Sequence, residues 1–225
     1  MQEKIKSKGR CVFCGELFTK AGINRHLTGH LKEIAKTEKE GSSFLVKVEA
    51  DKRWGAAPYF LSLWVDGEAS MKNIDKFLRA IWLECCGHLS RFHGAGMTKK
   101  AKDALYQGLE LGYEYDFGST TELTLTVVDE YPVKADKKIV LLSRNEPLQI
   151  MCDICGKAPA TRICSVCMDE ESAAFCDQCA PKHAEGCDDF ADYASMPIVN
   201  SPRMGVCGYT GGSIDLEREI FKSVQ

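Results

Sequence analysis

No stretch of this chain stays apolar for the length that a bilayer demands, so no membrane-spanning helix is expected. The opening residues, MQEKIKSKGR, are polar and basic with no apolar core; no secretory leader is expected, and a cytoplasmic protein is. The glycine-rich stretch SPRMGVCGYTGG lacks the spacing and the lysine of a phosphate loop, and it is not a dinucleotide fingerprint. Asp116-Phe117-Gly118 spells the tripeptide with which kinases hold magnesium, but no glycine-rich loop, strand lysine or catalytic-loop motif goes with it. The chain sets no nucleophilic serine among clustered arginines, and no acidic trio can be placed around a metal. By its residues alone it reads as a binding protein more than as an enzyme.

What it has in excess is cysteine, twelve in 225 residues. In a chain without an export signal these point to zinc ligands in a reducing compartment and not to a disulfide framework. Three Cys-x-x-Cys pairs, Cys152/Cys155, Cys164/Cys167 and Cys176/Cys179, are followed by His183 and Cys187. A thiolate pair two residues apart lets one tight turn aim both sulfurs at one ion, and eight ligands close two tetrahedral sites. In an interleaved wiring Cys152, Cys155, Cys176 and Cys179 share one zinc, while Cys164, Cys167, His183 and Cys187 share the other. In a sequential wiring each half of the segment is its own site. The interleaved form is favoured, because His183 and Cys187 stand four apart on a short helix that Pro181 can open.

A third site is expected at the other end, over residues 1–40. Cys11 and Cys14 precede His26 and His30, with Phe18 and Ile23 at the small-core positions of a two-Cys two-His finger: a hairpin packed on a helix. Three zinc ions are therefore expected. The finger's base-reading positions hold Thr19, Ala21, Gly22 and Arg25, of which only Arg25 suits a guanine edge, so sequence-specific DNA reading by the finger alone is not expected. Charge is uneven: residues 1–40 hold nine Lys/Arg against five Asp/Glu, residues 151–225 six against twelve. Lys4, Lys6, Lys8, Arg10, Lys20 and Arg25 are candidates for contact with nucleic acid or a nucleoprotein. The acidic surroundings of the second cluster (Asp169, Glu170, Glu171, Asp188, Asp189) suit a protein partner.

Residues 41–150 supply the large core. FLVKVEA and YFLSLWVDG read as strands, as do GYEYDFG, TTELTLTVVDEY and KKIVLLSRN. From Ser70, a plausible N-cap, Ile74, Phe77, Leu78, Ile81, Trp82 and Cys85 form one apolar helical stripe ending at Gly87, and a second helix is expected over Lys99–Leu109. The expected class is α+β, with about five strands and two helices between small zinc modules. Cys85 and Cys86 lie close in sequence to His88 and His93, which allows a redox or metal site; the stronger reading is structural, since Cys85 falls on the buried stripe and free cysteine is among the most buried residue types. Tyr113 and Tyr115 alternate with Glu114 and Asp116 as a buried and a polar strand face. An enzyme would need Glu84, His88, His93 and Asp116 gathered in one cleft. Residues 191–225 read as an irregular tail, either folded over the core or a docking peptide with Arg203 and Tyr209 as exposed anchors; Cys207 is left outside the ligand count.

FLRAIWLECCGHLSRF (77–92) and YEYDFGSTTELTLTVV (113–128) resemble the plasmid pRiA open-reading-frame-three-like family, also labelled insertion-element passenger resolvase-like. With the flanking zinc segments and PIVNSPRMGVCGYTG (197–211), the chain looks like a three-part variant found in archaeal, particularly methanogen, proteins. The resemblance implies an α+β fold over most of residues 44–145 and no settled activity; its label would imply a nucleic-acid-acting enzyme of a mobile element. The eight-ligand segment, 151–190, is similar to cross-braced B-box and MYND-type modules, which mostly bind proteins. A sensor that releases zinc on thiolate oxidation is a third possibility.

Overall fold

The computed structural model of the protein describes residues 7–37, 40–50, 58–168 and 172–214. The chain divides into two compact units, Met1–Ala80 with His88–Glu146, and Ile81–Gly87 with Pro147–Gln225. With 25% helix and 31% strand it is an α+β protein. Among the described residues no helix is long and apolar enough to cross a membrane.

The first unit is built on six antiparallel strands. These are β3 (Ser43–Ala50), β4 (Phe60–Asp66), β5 (Ser90–Phe92), β6 (Glu110–Tyr115), β7 (Thr121–Tyr131) and β8 (Ile139–Arg144), in the order β5-β6-β7-β3-β4-β8. β4 is buried along its whole length, which is why it reads as a continuous apolar run and not as an alternation. β6 and β7 alternate in the expected way, with Tyr113, Tyr115, Leu123, Leu125 and Val127 turned inward. The Asp116-Phe117-Gly118 tripeptide is the turn after β6. Asp116 takes a left-handed φ of 65°, and its Oδ1 accepts the Gly118 N–H at 3.0 Å.

The finger elements are β1 (Lys8–Arg10), β2 (Leu17–Thr19) and α1 (Lys20–Thr37). The sequence puts a boundary near residue 40, but the structure runs one core across it. Ile23, Leu27 and Leu31 on α1 pack with Leu45, Phe60, Trp64, Tyr131 and Leu142 of the sheet. β1 and β2 form a two-stranded sheet of their own, and β1 meets the chain just past β8 at an isolated bridge between Gly9 and Asn145, where the Glu146 N–H donates to the Lys8 carbonyl at 2.7 Å. Gly9 makes this approach possible, since a Cβ there would meet the Arg144 carbonyl oxygen at 2.7 Å.

Two helical expectations need correction. α2 (Met71–Leu78) starts as expected, with the Ser70 N–H donating to Asn73 Oδ1, but the chain then widens into a π-type turn over Arg79–Leu83. The extra residue shifts the helical phase, so Ile81, Trp82 and Leu83 are all buried while Cys85 leaves the stripe half-exposed. The helix expected over Lys99–Leu109 is a single turn, α3 (Ala101–Ala104), and the glycine-containing stretch after it passes straight into β6.

The second unit has three short antiparallel strands, β9 (Arg162–Cys164), β10 (Ala174–Phe175) and β11 (Ser195–Pro197), in the order β10-β9-β11, with α4 (Ala180–Ala184) beside them. One core cluster of this unit gathers Phe175, Phe190 and Ala194 with the thiols of Cys164 and Cys167, while Trp82, Ile163, Met204 and Tyr209 are buried elsewhere in it.

Candidate metal centres

Ligands at metal–sulfur and metal–nitrogen distances of about 2.3 and 2.0–2.1 Å, arranged tetrahedrally, lie roughly 3.8 Å (S–S) and roughly 3.4 Å (N–N) from one another. The described residues contain four Cys/His groups whose ligand atoms all lie within 4.8 Å of one another.

In the finger, Cys11, Cys14, His26 and His30 form one group. β1 and β2 bring the thiols round a turn in which the Gly15 N–H donates to the Cys11 carbonyl, while α1 carries both imidazoles on successive turns. Cys14 Sγ is 3.3 Å from His26 Nε2, which is 3.1 Å from His30 Nε2. Phe18 stacks on the His26 ring with centroids 4.0 Å apart and so fixes its plane.

Cys152, Cys155, Cys176 and Cys179 form a second group, with Cys155 and Cys176 sulfurs 4.0 Å apart. The first thiol pair sits on a turn closed by the Gly156 N–H on the Cys152 carbonyl at 2.8 Å, with Gly156 at φ 61°. Burial opposes ionisation of Cys152, but the N–H groups of Cys155, Cys176 and Ile154 point at its sulfur and hold it at about 6. The N–H groups of Lys157 and Ala158 lower Cys155 in the same way. Burial, and then the crowding of Cys176, Cys152 and Cys155, pushes Cys179 up to about 12. So many thiolates within a few ångströms repel, and a cation at their centre reverses that balance.

The third group is Cys164, Cys167, His183 and Cys187, with Cys167 and Cys187 sulfurs 3.9 Å apart. Pro181 lies in the first turn of α4, which carries His183, and Phe175 stacks on the imidazole at 4.1 Å. His183 Nε2 is buried and has no hydrogen-bond partner among the described residues. A buried imidazole nitrogen at the centre of three thiols is what a metal ligand needs to be, and it would be a costly orphan otherwise. The ligands thus group in the alternating order of the interleaved wiring.

In the fourth group, Cys86 Sγ lies 3.8 Å from Cys85 Sγ and 3.7 Å from Cys207 Sγ, and the exposure of these cysteines corrects the reading of Cys85 and Cys86 as core thiols. Cys85 is half-exposed, and Cys86 and Cys207 are exposed. The docking-peptide reading of the tail is also overturned, because Arg203 and Tyr209 are 0% and 1% exposed. Spacing gave no signal here, since Cys86 and Cys207 lie 121 residues apart.

Of the basic candidates, Lys8, Arg10 and Arg25 are exposed; Arg10 leans on Glu146 at 3.6 Å, and Lys20 is ion-paired with Glu49. Thr19 Oγ1 accepts the Gly22 N–H at 3.2 Å, so this potential base-reading hydroxyl is occupied at the start of α1. Lys4, Lys6, Asp169, Glu170 and Glu171 lie outside the described residues. Of the four residues that the enzyme reading requires, His88 faces Asp116 at 3.5 Å, His93 pairs with Glu114 at 2.9 Å, and Glu84 accepts the Gly87 N–H.

Comparison with protein families finds no match, and neither does comparison with characterised proteins. Among solved structures, there is similarity to the crystal structure of a protein of unknown function from Methanosarcina mazei Go1. It is 15% identical over 46% of this chain and 68% of that one, with a TM-score of 0.37. The fold and its sites together define an α+β protein carrying candidate metal centres.

Proposed function

We propose that this protein is a zinc-held adaptor. The finger end approaches nucleic acid or a nucleoprotein, and the acidic module of the second unit docks protein. Zinc is the reading of the metal because two-Cys two-His, four-Cys and three-Cys one-His tetrahedra are its usual structural donor sets. The observation that carries the adaptor reading is apolar exposure inside the ligand turns. The residues between the paired cysteines include Val12 (57% exposed), Phe13 (40%), Ile154 (40%) and Val166 (49%). Turns pinned by a metal hold such side chains at the surface in one geometry, so a partner gains apolar contact with little ordering cost. Asp188 and Asp189 are exposed in the same unit as Ile154 and Val166, and Lys8, Arg10 and Arg25 supply the charge at the other end.

The test is capture of partners from lysate by the full chain, with and without nuclease, beside an Ile154→Ser/Val166→Ser variant. The expected result is a nuclease-resistant protein partner that the variant loses while keeping its zinc. Capture that vanishes with nuclease, or that the variant leaves intact, refutes docking by the second unit. At the finger end, RNA or DNA binding should weaken with salt, and Arg25→Ala should reduce the slope by about 0.7–0.9. Binding that ignores salt refutes the phosphate contact.

A further inference from the structure

We infer that Cys85, Cys86 and Cys207 supply three thiol ligands of a further zinc-type site within the second unit, separate from the three that the spacing of the sequence announces. The three thiols belong to the second unit. Cys85 and Cys86 sulfurs are 3.8 Å apart and Cys86 and Cys207 sulfurs 3.7 Å apart, matching the roughly 3.8 Å edge of a sulfur tetrahedron around such an ion.

Two independent features of the second unit fit an ion at these sulfurs. Arg203 is 0% exposed, and its Nη2 donates towards Cys85 Sγ at 3.5 Å. A divalent ion with three thiolates carries one net negative charge, and a buried guanidinium beside it restores neutrality. The backbone is also shaped to deliver Cys207. It stands at φ 52°, a conformation that a residue with a Cβ seldom adopts, between Gly205 at 76° and Gly208 at 66°. The loop is fixed by Ser201 Oγ donating to the Trp82 carbonyl at 2.6 Å, and by turns closed on Arg203 and Val206. These contacts bring Cys207 to the segment that carries Cys85 and Cys86.

The full chain, purified with its metal, should hold four zinc ions by native mass spectrometry and elemental analysis. Cys86→Ser and Cys207→Ser should each hold three, and Cys164→Ser/Cys207→Ser should hold two. Iodoacetamide gives a second readout that does not depend on any variant folding. Exposed Cys86 and Cys207 should be protected in the wild type and alkylate at least tenfold faster after chelation. Three ions in both wild type and Cys207→Ser, or alkylation at the same rate before and after chelation, overturns this site and leaves the other three standing. A chain holding no zinc at all overturns the zinc reading of every site.

Discussion

Leu27→Ala tests whether the finger is an appendage or part of the sheet's core. Leu27 is 0% exposed and shares its cluster with Leu45, Phe60, Trp64 and Tyr131. Three carbons leave, which at about 0.8 kcal/mol each is about 2.4 kcal/mol of lost transfer energy. A residual cavity of roughly 60 Å³ adds about 1.5 kcal/mol, within the span of about 2–5 kcal/mol seen for buried leucine truncations. With a urea slope of about 2 kcal/mol/M, the unfolding midpoint should fall by about 2 M. The assay is urea unfolding in zinc-replete buffer, followed by tryptophan fluorescence in a Trp54→Phe/Trp82→Phe background, where the signal is that of Trp64, which lies on β4 and not on the finger. A midpoint at Trp64 that does not move, with lost protection confined to α1, would show that the finger folds alone and that the shared core is wrong.

Two further outcomes follow from the same structure. Chelation should strip hydrogen-exchange protection from peptides spanning 152–187, which hold eight candidate ligands and only two short strands, while 43–50 and 121–131 keep theirs; simultaneous loss of both would refute the independence of the sheet. Glu49 tests the seam between finger and sheet by pH. Burial alone would raise its carboxyl, but Lys20 and Lys47 outweigh burial and hold it below the ordinary carboxylate value. A depressed carboxylate adds stability at neutral pH that is lost as pH falls from about 4.3 downwards. Glu49→Gln should therefore cost up to about 1 kcal/mol at pH 7 and nothing near pH 2–3, read as the difference in unfolding midpoint. A difference independent of pH would mean that the cost comes from packing.

What could be read from the residues divides by the range of the interaction. Cys-x-x-Cys turns and His-x-x-x-His helices are local, so the finger and the two groups of the second unit are visible as spacing, and so is the Ser70 helix start. Five strands of the large sheet, β3, β4, β6, β7 and β8, are visible as well, because β-branched and apolar residues alternate or run together with the burial they meet, whereas β5, β9, β10 and β11 are too short to show a pattern. The π-type turn at Arg79–Leu83 is hidden: RAIWL carries no proline or glycine to mark it, and one inserted residue moves Cys85 off the stripe. The joining of finger and sheet is also hidden. Apolar Ile23, Leu27 and Leu31 look the same whether they close a small finger or cover a sheet. Cys207 is the plainest miss, because a ligand delivered by a loop 121 residues from its neighbour has no spacing to read.

The charges of the candidate centres explain why each has different surroundings. With a divalent ion, the two-Cys two-His set of the finger is neutral and needs no counter-charge, so the basic side chains near it are not there to balance thiolates. The four-Cys set carries two negative charges, and there the backbone N–H groups of Ile154, Cys155, Lys157, Ala158 and Cys176 converge on the sulfurs of Cys152 and Cys155. The three-Cys sets carry one. At Cys164/Cys167/His183/Cys187 that charge sits against the rings of Phe175 and Phe190. At Cys85/Cys86/Cys207 it meets the buried guanidinium of Arg203. Replacing Arg203 by methionine keeps much of the apolar volume and removes the charge. The affinity of that centre should then fall while the finger is untouched, which competition with a graded series of chelators would resolve as early release of a single ion.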